Sequence, residues 1–167
     1  MIWKSTTGMQ IEITAGAFKS ITRYISSRKI GETGGILIGR YSDDLSTAVI
    51  LSASGPGPQP VFGLFSFTRR ATSLQKELDS EFELGRYYLG EWHCHPGRNH
   101  TPSLQDICQM QTISNLPSYN CPEPILMVLG RSNPHEFSSV SVIKNNRVIK
   151  FEKRIASVKN GRIYAHD

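Results

Sequence analysis

Apolar positions along the chain repeat with two different periods, and the order of these periods predicts a domain of alternating strands and helices. Residues 9–13 alternate between apolar and polar, which indicates a short strand. From Thr14 the apolar residues follow helical spacing as far as Ile25, and the Thr14 hydroxyl can cap the start of this helix. We expect this first helix to end near residues 29–31.

The middle of the chain repeats this arrangement with two more strands and a second helix. Residues 34–41, opened by two glycines, and residues 47–54 have the composition of buried strands. The prolines and glycines of residues 55–63 predict a surface loop. A second helix is expected over residues 69–84, with Leu74, Leu78 and Phe82 at helical spacing, and a strand over residues 86–95. If that strand has no bulge, Leu89, Glu91, His93 and His95 share one of its faces.

The last third of the chain predicts a helix and three strands. Thr101 and Pro102 form a helix-start pair, and the helix should run to about Asn115. Residues 124–130 resemble a buried strand, and residues 136–155 resemble a hairpin that turns at Asn145 and Asn146. The sequence therefore predicts an α/β domain with a mixed, mainly antiparallel sheet flanked by three helices. We expect a single domain over residues 1–167, with a basic C-terminal hairpin and tail from about residue 136.

Composition places the chain among ordinary globular proteins. With 167 residues, 38% hydrophobic and 20% charged, it can form one packed core. It has no long apolar run, and its N-terminus has no apolar signal segment, so no membrane association is expected. The cysteines are few and odd in number, which favours reduced thiols and a cytoplasmic location.

The net charge of +5 is concentrated at the C-terminus. Residues 144–167 contain seven lysines and arginines against two acidic residues, and the rest of the chain is balanced. A basic tail can meet nucleic acid, an anionic membrane or an acidic protein. Aromatic residues are sparse there, so we interpret the tail as a solvated edge and do not expect nucleic acid as a partner.

The segment 91–106 contains a candidate metal site. His93 and His95 are two residues apart on a strand, so both rings leave one face with Cβ atoms about 6–7 Å apart. Asp106 lies about one turn inside the next helix, and Ser103 is three residues earlier on the same helix face. Two imidazoles and a carboxylate suit a hydrolytic zinc ion that keeps one position open for water.

His-x-His alone is a weak signal, but its combination with Ser-x-x-Asp at this spacing is specific. His93, Cys94 and His95, followed by residues 103–106, resemble the JAMM signature of the MPN/JAB metalloproteases. That family also has an upstream glutamate before a glycine-rich strand, and Glu32 with residues 33–39 is similar to it. The resemblance covers roughly residues 10–143. It implies the JAB/MPN fold, which is cytidine-deaminase-like.

The resemblance also implies a role for each site residue. His93, His95 and Asp106 would be the ligands of one zinc ion per chain, with a bound catalytic water. Glu32 would be the general base that takes a proton from this water and passes it to the leaving amine. Ser103 would donate a hydrogen bond to the tetrahedral oxyanion. The implied enzyme is a metalloprotease that cleaves isopeptide or peptide bonds at the C-terminus of ubiquitin-like proteins.

Several residues of this segment keep more than one interpretation. Cys94 stands where the family has Ser or Thr, and we expect it to pack in the core, although a thiol could also compete for zinc or respond to oxidation. Glu91 could accept a hydrogen bond from a ligand imidazole, or it could be a surface carboxylate. His100 is expected to be a solvated loop residue, and Trp92 a core residue.

Within the family, the Gly/Pro-rich segment 54–58, the charged helix predicted after it and the segment 88–96 resemble the small bacterial JAB proteins of CBASS antiphage operons. There an E1/E2-like protein joins the C-terminus of a cyclic-nucleotide synthase to other proteins, and the protease removes this attachment. The resemblance implies a CD-NTase synthase tail as partner and a functional link to an E1/E2-like ligase. Residues 55–68, which contain three phenylalanines, are a candidate wall for an extended substrate tail or a cover of the core.

Three other functions compete with this interpretation. A related JAB protease could trim the tail of a sulfur-carrier protein. A non-catalytic MPN scaffold is also conceivable, but it would not need the complete set of five site residues. A zinc deaminase would require H-x-E and P-C-x-x-C motifs, which the chain lacks.

Overall fold

The computed structural model of the chain describes residues 1–28, 30–56, 67–154, 157–159 and 162–164. The helices in these ranges are α1 (Ala15–Ser27), α2 (Phe67–Glu83) and α3 (Leu104–Asn115), followed by a short 3-10 turn, Pro117–Tyr119. The strands are β1 (Ile2–Lys4), β2 (Gln10–Ile13), β3 (Thr33–Tyr41), β4 (Thr47–Ala53), β5 (Tyr87–His95), β6 (Ile125–Gly130), β7 (Ser138–Lys144), β8 (Arg147–Arg154), β9 (Ser157–Lys159) and β10 (Arg162–Tyr164).

The main sheet has the strand order β1-β2-β4-β3-β5-β6-β7-β8, and β1 also pairs with β8. The β2/β4 and β5/β6 pairs are parallel, and the other pairs of this sheet are antiparallel. The prediction of a mixed, mainly antiparallel sheet with helices is therefore confirmed. Strand β5, which carries the two histidines of the candidate site, lies inside the sheet between β3 and β6.

Two apolar clusters lie on opposite faces of the sheet, because alternate residues of β6 belong to different clusters. The larger cluster receives the buried residues of α1, which are Ala17, Ile21 and Ile25, and it includes both tryptophans. The smaller cluster holds Met110 and Ile113 of α3 against β6 and β7. Burial of this face of α3 fixes the helix against the sheet next to the end of β5.

Most predicted elements are confirmed, with shifted ends. Helix α1 begins after Thr14, whose hydroxyl accepts a hydrogen bond from the Ala17 amide at 3.2 Å, and it ends at Ser27, earlier than expected. The β7–β8 hairpin turns at Asn145 and Asn146, which have φ values of 50° and 59°, as a tight two-residue turn requires. Strands β1, β9 and β10 were not predicted, because each has only three residues.

The predicted start of α3 at Thr101 and Pro102 is wrong, because Ser103 caps the helix instead. Its hydroxyl accepts a hydrogen bond from the Asp106 amide at 3.1 Å, and the Asp106 carboxylate accepts one from the Ser103 amide at 2.7 Å. This reciprocal capping box satisfies two amides at once and outweighs the preference of the Thr-Pro pair.

The loop predicted over residues 55–63 lies mostly outside the described residues, as does most of the candidate wall over residues 55–68. Phe82, at helical spacing in α2, is 64% exposed, and its ring lies edge-on to Tyr87 with ring centroids 5.6 Å apart. No helix in the described ranges is long and apolar enough to cross a membrane.

The simple alternation expected along β5 is wrong, because a bulge interrupts the strand. Leu37 of β3 pairs with Gly90, but the next residue of β3 pairs with Tyr88, so Leu89 is the extra residue. Leu89 therefore packs in the larger core cluster, on the side of Trp92, while Glu91 and the histidines face the other side. Gly90 has a φ of 148°, which side chains rarely adopt.

Replacing Gly90 with alanine should destabilise the protein strongly. A Cβ atom at this position would lie 1.9 Å from the Ile125 carbonyl oxygen, and the φ angle is itself unfavourable for alanine. We expect the free energy of unfolding to fall by at least about 2 kcal/mol, measured by urea denaturation. The matched control is Gly16→Ala in α1, where a Cβ has open space. This variant should be neutral or gain up to about 1 kcal/mol; equal stabilities of the two variants would contradict the bulge.

Candidate active site

The two histidines lie at the end of β5, where pairing with strands on both sides fixes the backbone. His93 pairs with Gly34 of β3 and with Val128 of β6. The His95 side chain is 5% exposed and that of His93 is 20% exposed, so the rings are largely withdrawn from solvent. Since they are two residues apart beyond the bulge, both rings leave the sheet on the side of α3.

Asp106 reaches the same point from the first turn of α3. Its Oδ1 atom lies 2.6 Å from Nδ1 of His93, and its Oδ2 atom lies 3.4 Å from Nε2 of His95. The carboxylate is almost fully buried, and the capping box holds it in place through the backbone amide of Ser103. The structure thus brings together the three residues that the sequence predicts as metal ligands.

Hydrogen bonds at this point stabilise the charged forms of His93 and Asp106. Burial alone would lower the pKa of His93, but hydrogen bonds with Asp106 and Glu91 outweigh it and raise the pKa to about 9. Burial would raise the pKa of Asp106, but the hydrogen bonds from His93 and Ser103 hold this pKa well below its usual range. These hydrogen bonds therefore favour the protonated imidazole and the ionised carboxylate, and a metal ion at this point would take the place of the shared proton.

The donor set has the chemistry of a zinc site. Two donors at about 2.0–2.1 Å from a tetrahedral zinc ion lie about 3.3–3.4 Å from each other. The separation of 3.4 Å between His95 Nε2 and Asp106 Oδ2 matches this value, whereas His93 and Asp106 are joined by a direct hydrogen bond of 2.6 Å. No group of three such side chains in the described ranges is already spaced for ligation. The residue types fit the metal, and His93 would have to exchange its bond to Asp106 for one to the ion.

Glu32 immediately precedes β3, beside the end of β5. Thr33 pairs with Cys94, and continuing this register by one residue places Glu32 across from His95. Glu32 is exposed, and within the described ranges no hydrogen bond or ion pair holds its carboxylate. A carboxylate beside the histidines that makes no bond to them is available to accept a proton.

Ser103 lies at the same point, but its hydroxyl is already engaged. It donates a hydrogen bond to Asp106 Oδ2 at 2.7 Å while it accepts one from the Asp106 amide. The family resemblance implies that Ser103 is an oxyanion donor, and the structure shows that it is the N-cap of α3. For the first role the hydroxyl proton must turn away from Asp106.

Glu91 is a buried carboxylate next to His93 and not a surface residue. It is 2% exposed, and its Oε2 atom lies 3.3 Å from Nε2 of His93 and 2.7 Å from Nε2 of Gln109. Glu91 therefore contacts the imidazole of one predicted ligand, as one of its two interpretations expects, and that it is a surface carboxylate is wrong. Gln109 was missed, although it lies three residues after Asp106 and this spacing places both on one face of α3.

The remaining predicted residues of the segment behave as expected. Cys94 is fully buried in the larger cluster with Trp92, away from the histidine side of the strand, and burial raises the pKa of its thiol. His100 is partly exposed in the loop after β5, where its Nδ1 atom lies 3.0 Å from the Arg98 carbonyl oxygen. Cys94 is therefore a packing residue.

Comparisons with known proteins identify the family and support the fold. The family described as prokaryotic homologs of the JAB domain matches residues 14–143. A curated protein of Enterobacter hormaechei subsp. hoffmannii, named CD-NTase/cGAS isopeptidase, is 37% identical over 120 residues, which are 72% of this chain and 67% of that protein. The solution structure of a Desulfitobacterium hafniense protein is similar in fold, with a TM-score of 0.59 and 17% identity over 85% of this chain and 90% of the other.

Proposed function

Because the chain belongs to the prokaryotic JAB-domain family, we propose that it is a zinc-dependent isopeptidase that removes proteins from the C-terminus of a conjugated partner. The observation that carries this proposal is the meeting of His93, His95 and Asp106 at one point, with Glu32 across the strand pair from His95. Two imidazoles and one carboxylate, with a separate carboxylate as base, are a donor set of the kind that zinc hydrolases use.

In this proposal each side chain has one task. His93, His95 and Asp106 would hold zinc, which when bound acidifies water and polarises the scissile carbonyl. Glu32 accepts the proton of the attacking water and passes it to the leaving amine. Ser103 turns its hydroxyl toward the oxygen on which negative charge develops. Glu91 and Gln109 fix the ring of His93, as partners of metal-bound histidines do.

The partner that we propose is the C-terminal tail of a cyclic-nucleotide synthase of the CD-NTase class. The relative from Enterobacter hormaechei, which is named for action on CD-NTase/cGAS, supports this choice. In such a system an E1/E2-like ligase forms the bond and this protein breaks it, which restrains antiphage signalling. The reaction adds water across an amide bond, releases a carboxylate on the synthase and returns the amine of the target.

A panel of three fusions tests the substrate class. In each, a fluorescent reporter follows a different tail: that of a CD-NTase synthase (the synthase–reporter fusion), of a ubiquitin-like protein, or of a sulfur-carrier protein. We expect cleavage of the synthase–reporter fusion at the junction, mapped by mass spectrometry. Cleavage of the sulfur-carrier fusion alone would indicate a trimming protease, and absence of cleavage of all three would favour a scaffold.

Substitutions of Ser103 separate its two roles. Ser103→Ala removes both the cap and the hydroxyl, so we expect a loss of about 1 kcal/mol in stability and a loss of about 10²-fold in kcat. Ser103→Thr keeps a hydroxyl and a capping oxygen and should retain most of both. Thermal unfolding and steady-state cleavage of the synthase–reporter fusion measure the two effects. If Ser103→Ala loses stability but keeps the wild-type kcat, Ser103 is a cap alone.

A further inference from the structure

One arginine outside the candidate site connects the segment that carries Glu32 to the strand that carries the histidines. Arg131 directly follows β6, and its backbone amide donates a hydrogen bond to the His95 carbonyl oxygen at 3.0 Å. Its backbone is therefore fixed to the last residue of β5. The side chain of Arg131 extends from this point toward the end of α1.

The guanidinium group of Arg131 donates hydrogen bonds to three carbonyl groups at and beyond the end of α1. Nη1 bonds the Ile25 carbonyl oxygen at 2.8 Å and also that of Arg28, and Nη2 bonds that of Gly31 at 2.6 Å. The last turn of α1 contains no basic residue of its own. A cation from a distant part of the chain thus binds carbonyl oxygens at and beyond the C-terminus of α1, where the helix dipole favours positive charge. The Ile25 carbonyl oxygen also accepts a hydrogen bond from the Arg28 amide at 3.3 Å.

The third of these bonds bears directly on Glu32. Gly31 has a φ of 80°, so the chain turns sharply there, and Glu32 follows before β3 begins at Thr33. No described side-chain contact holds the Glu32 carboxylate, so its position depends on the backbone on either side. On one side this is the pairing of Thr33 with Cys94, and on the other it is the bond from Arg131 to Gly31.

We propose that Arg131 is a positioning residue for Glu32, which anchors the α1–β3 loop to the end of β6 and so sets the place of the base relative to the ligands on β5. This inference deepens the proposed function and depends on it for the role of Glu32. A general base must lie within hydrogen-bond reach of the proton that it accepts, and small displacements lower the rate steeply. Zinc binding does not need this anchor, since the ligands are held by β5 and α3.

Two substitutions of Arg131 and one matched control test the proposal. Arg131→Met removes the three hydrogen bonds and keeps an aliphatic side chain. Arg131→Lys keeps the positive charge, but its ammonium group lacks the planar set of donors with which the guanidinium bonds the three carbonyl groups. Arg40→Met removes the same charge at the exposed far end of β3. The measurements are kcat and KM on the synthase–reporter fusion, zinc content, and hydrogen exchange of the amides of residues 30–33.

For Arg131→Met we expect kcat to fall about 10–100-fold, with KM and zinc content unchanged and faster exchange of residues 30–33. Arg131→Lys should lie between this variant and the wild type, and Arg40→Met should match the wild type. An unchanged kcat in Arg131→Met, or equal losses of zinc and activity, would overturn the proposal.

If Arg131→Met does not fold, the proposal is tested with Arg131→Lys. In that case the proposal is overturned if Arg131→Lys has both the kcat of the wild type and the wild-type exchange rates at residues 30–33. If the wild-type protein cleaves none of the fusions, the proposed function fails separately. The exchange of residues 30–33 then still shows whether Arg131 anchors the loop, since this measurement needs no substrate.

Discussion

Replacing Glu32 with glutamine will leave a folded, zinc-binding protein that no longer cleaves its substrate. Glutamine has nearly the same shape as glutamate but cannot accept and return a proton at neutral pH. We expect kcat on the synthase–reporter fusion to fall by about 10²–10⁴-fold or more. Since Glu32 is exposed and makes no described contact with the ligands, zinc content and thermal stability should stay at wild-type values.

Glu152→Gln is the control for this variant, because it changes the same charge at an exposed position of β8. It should cleave the fusion at the wild-type rate. Near-normal turnover by Glu32→Gln would show that another group moves the proton. A loss of zinc from Glu32→Gln would instead mean that Glu32 belongs to the ligand set.

Replacing Asp106 with alanine will remove the metal, the activity and part of the stability together. The carboxylate contacts both histidines, so its loss leaves two nitrogen donors and takes this partner from the buried imidazole of His95. We expect zinc affinity to fall more than about 10²-fold, since even the outer partners of ligands contribute 10–100-fold. Loss of the reciprocal capping bond should lower the free energy of unfolding by about 1–3 kcal/mol.

Two further variants separate these effects of Asp106. Asp106→Asn keeps a side-chain oxygen that can accept the bond from the Ser103 amide, so it should recover part of the stability but little of the zinc affinity. Gln105→Ala changes the preceding, exposed residue of the same helical turn and should behave as the wild type. Zinc affinity is measured by competition with a chromogenic chelator. Wild-type affinity in Asp106→Ala would contradict the ligand assignment.

The candidate site could be predicted from the sequence where the chemistry depends on short spacings. His93 and His95 lie on one strand, and Ser103 and Asp106 lie at the start of one helix, so the short spacing within each pair already places its side chains near each other. Glu32 came from the resemblance to the family and not from spacing, because only the pairing of β3 with β5 brings it across from His95.

Other features of the site could not be predicted because they depend on contacts that no local pattern encodes. The bulge at Leu89 and Gly90 moves side chains between faces, and it is visible only when β3 and β5 are paired. Arg131 donates hydrogen bonds to carbonyl groups that lie 100 or more residues earlier in the chain. The residues next to it in the sequence therefore do not indicate its role. The start of α3 was misplaced because the capping box competed with the Thr-Pro pair before it.

The central claim is that His93, His95 and Asp106 hold a zinc ion on which cleavage depends. The most direct measurement follows cleavage of the synthase–reporter fusion by one preparation in three states: as purified, after removal of metal by a chelator, and after return of one equivalent of zinc. The account predicts that the protein as purified cleaves the fusion, that the metal-free protein does not, and that the return of zinc restores cleavage with about one zinc ion bound per chain. The same treatment of Asp106→Ala should restore no cleavage. Full cleavage by the metal-free protein would contradict it.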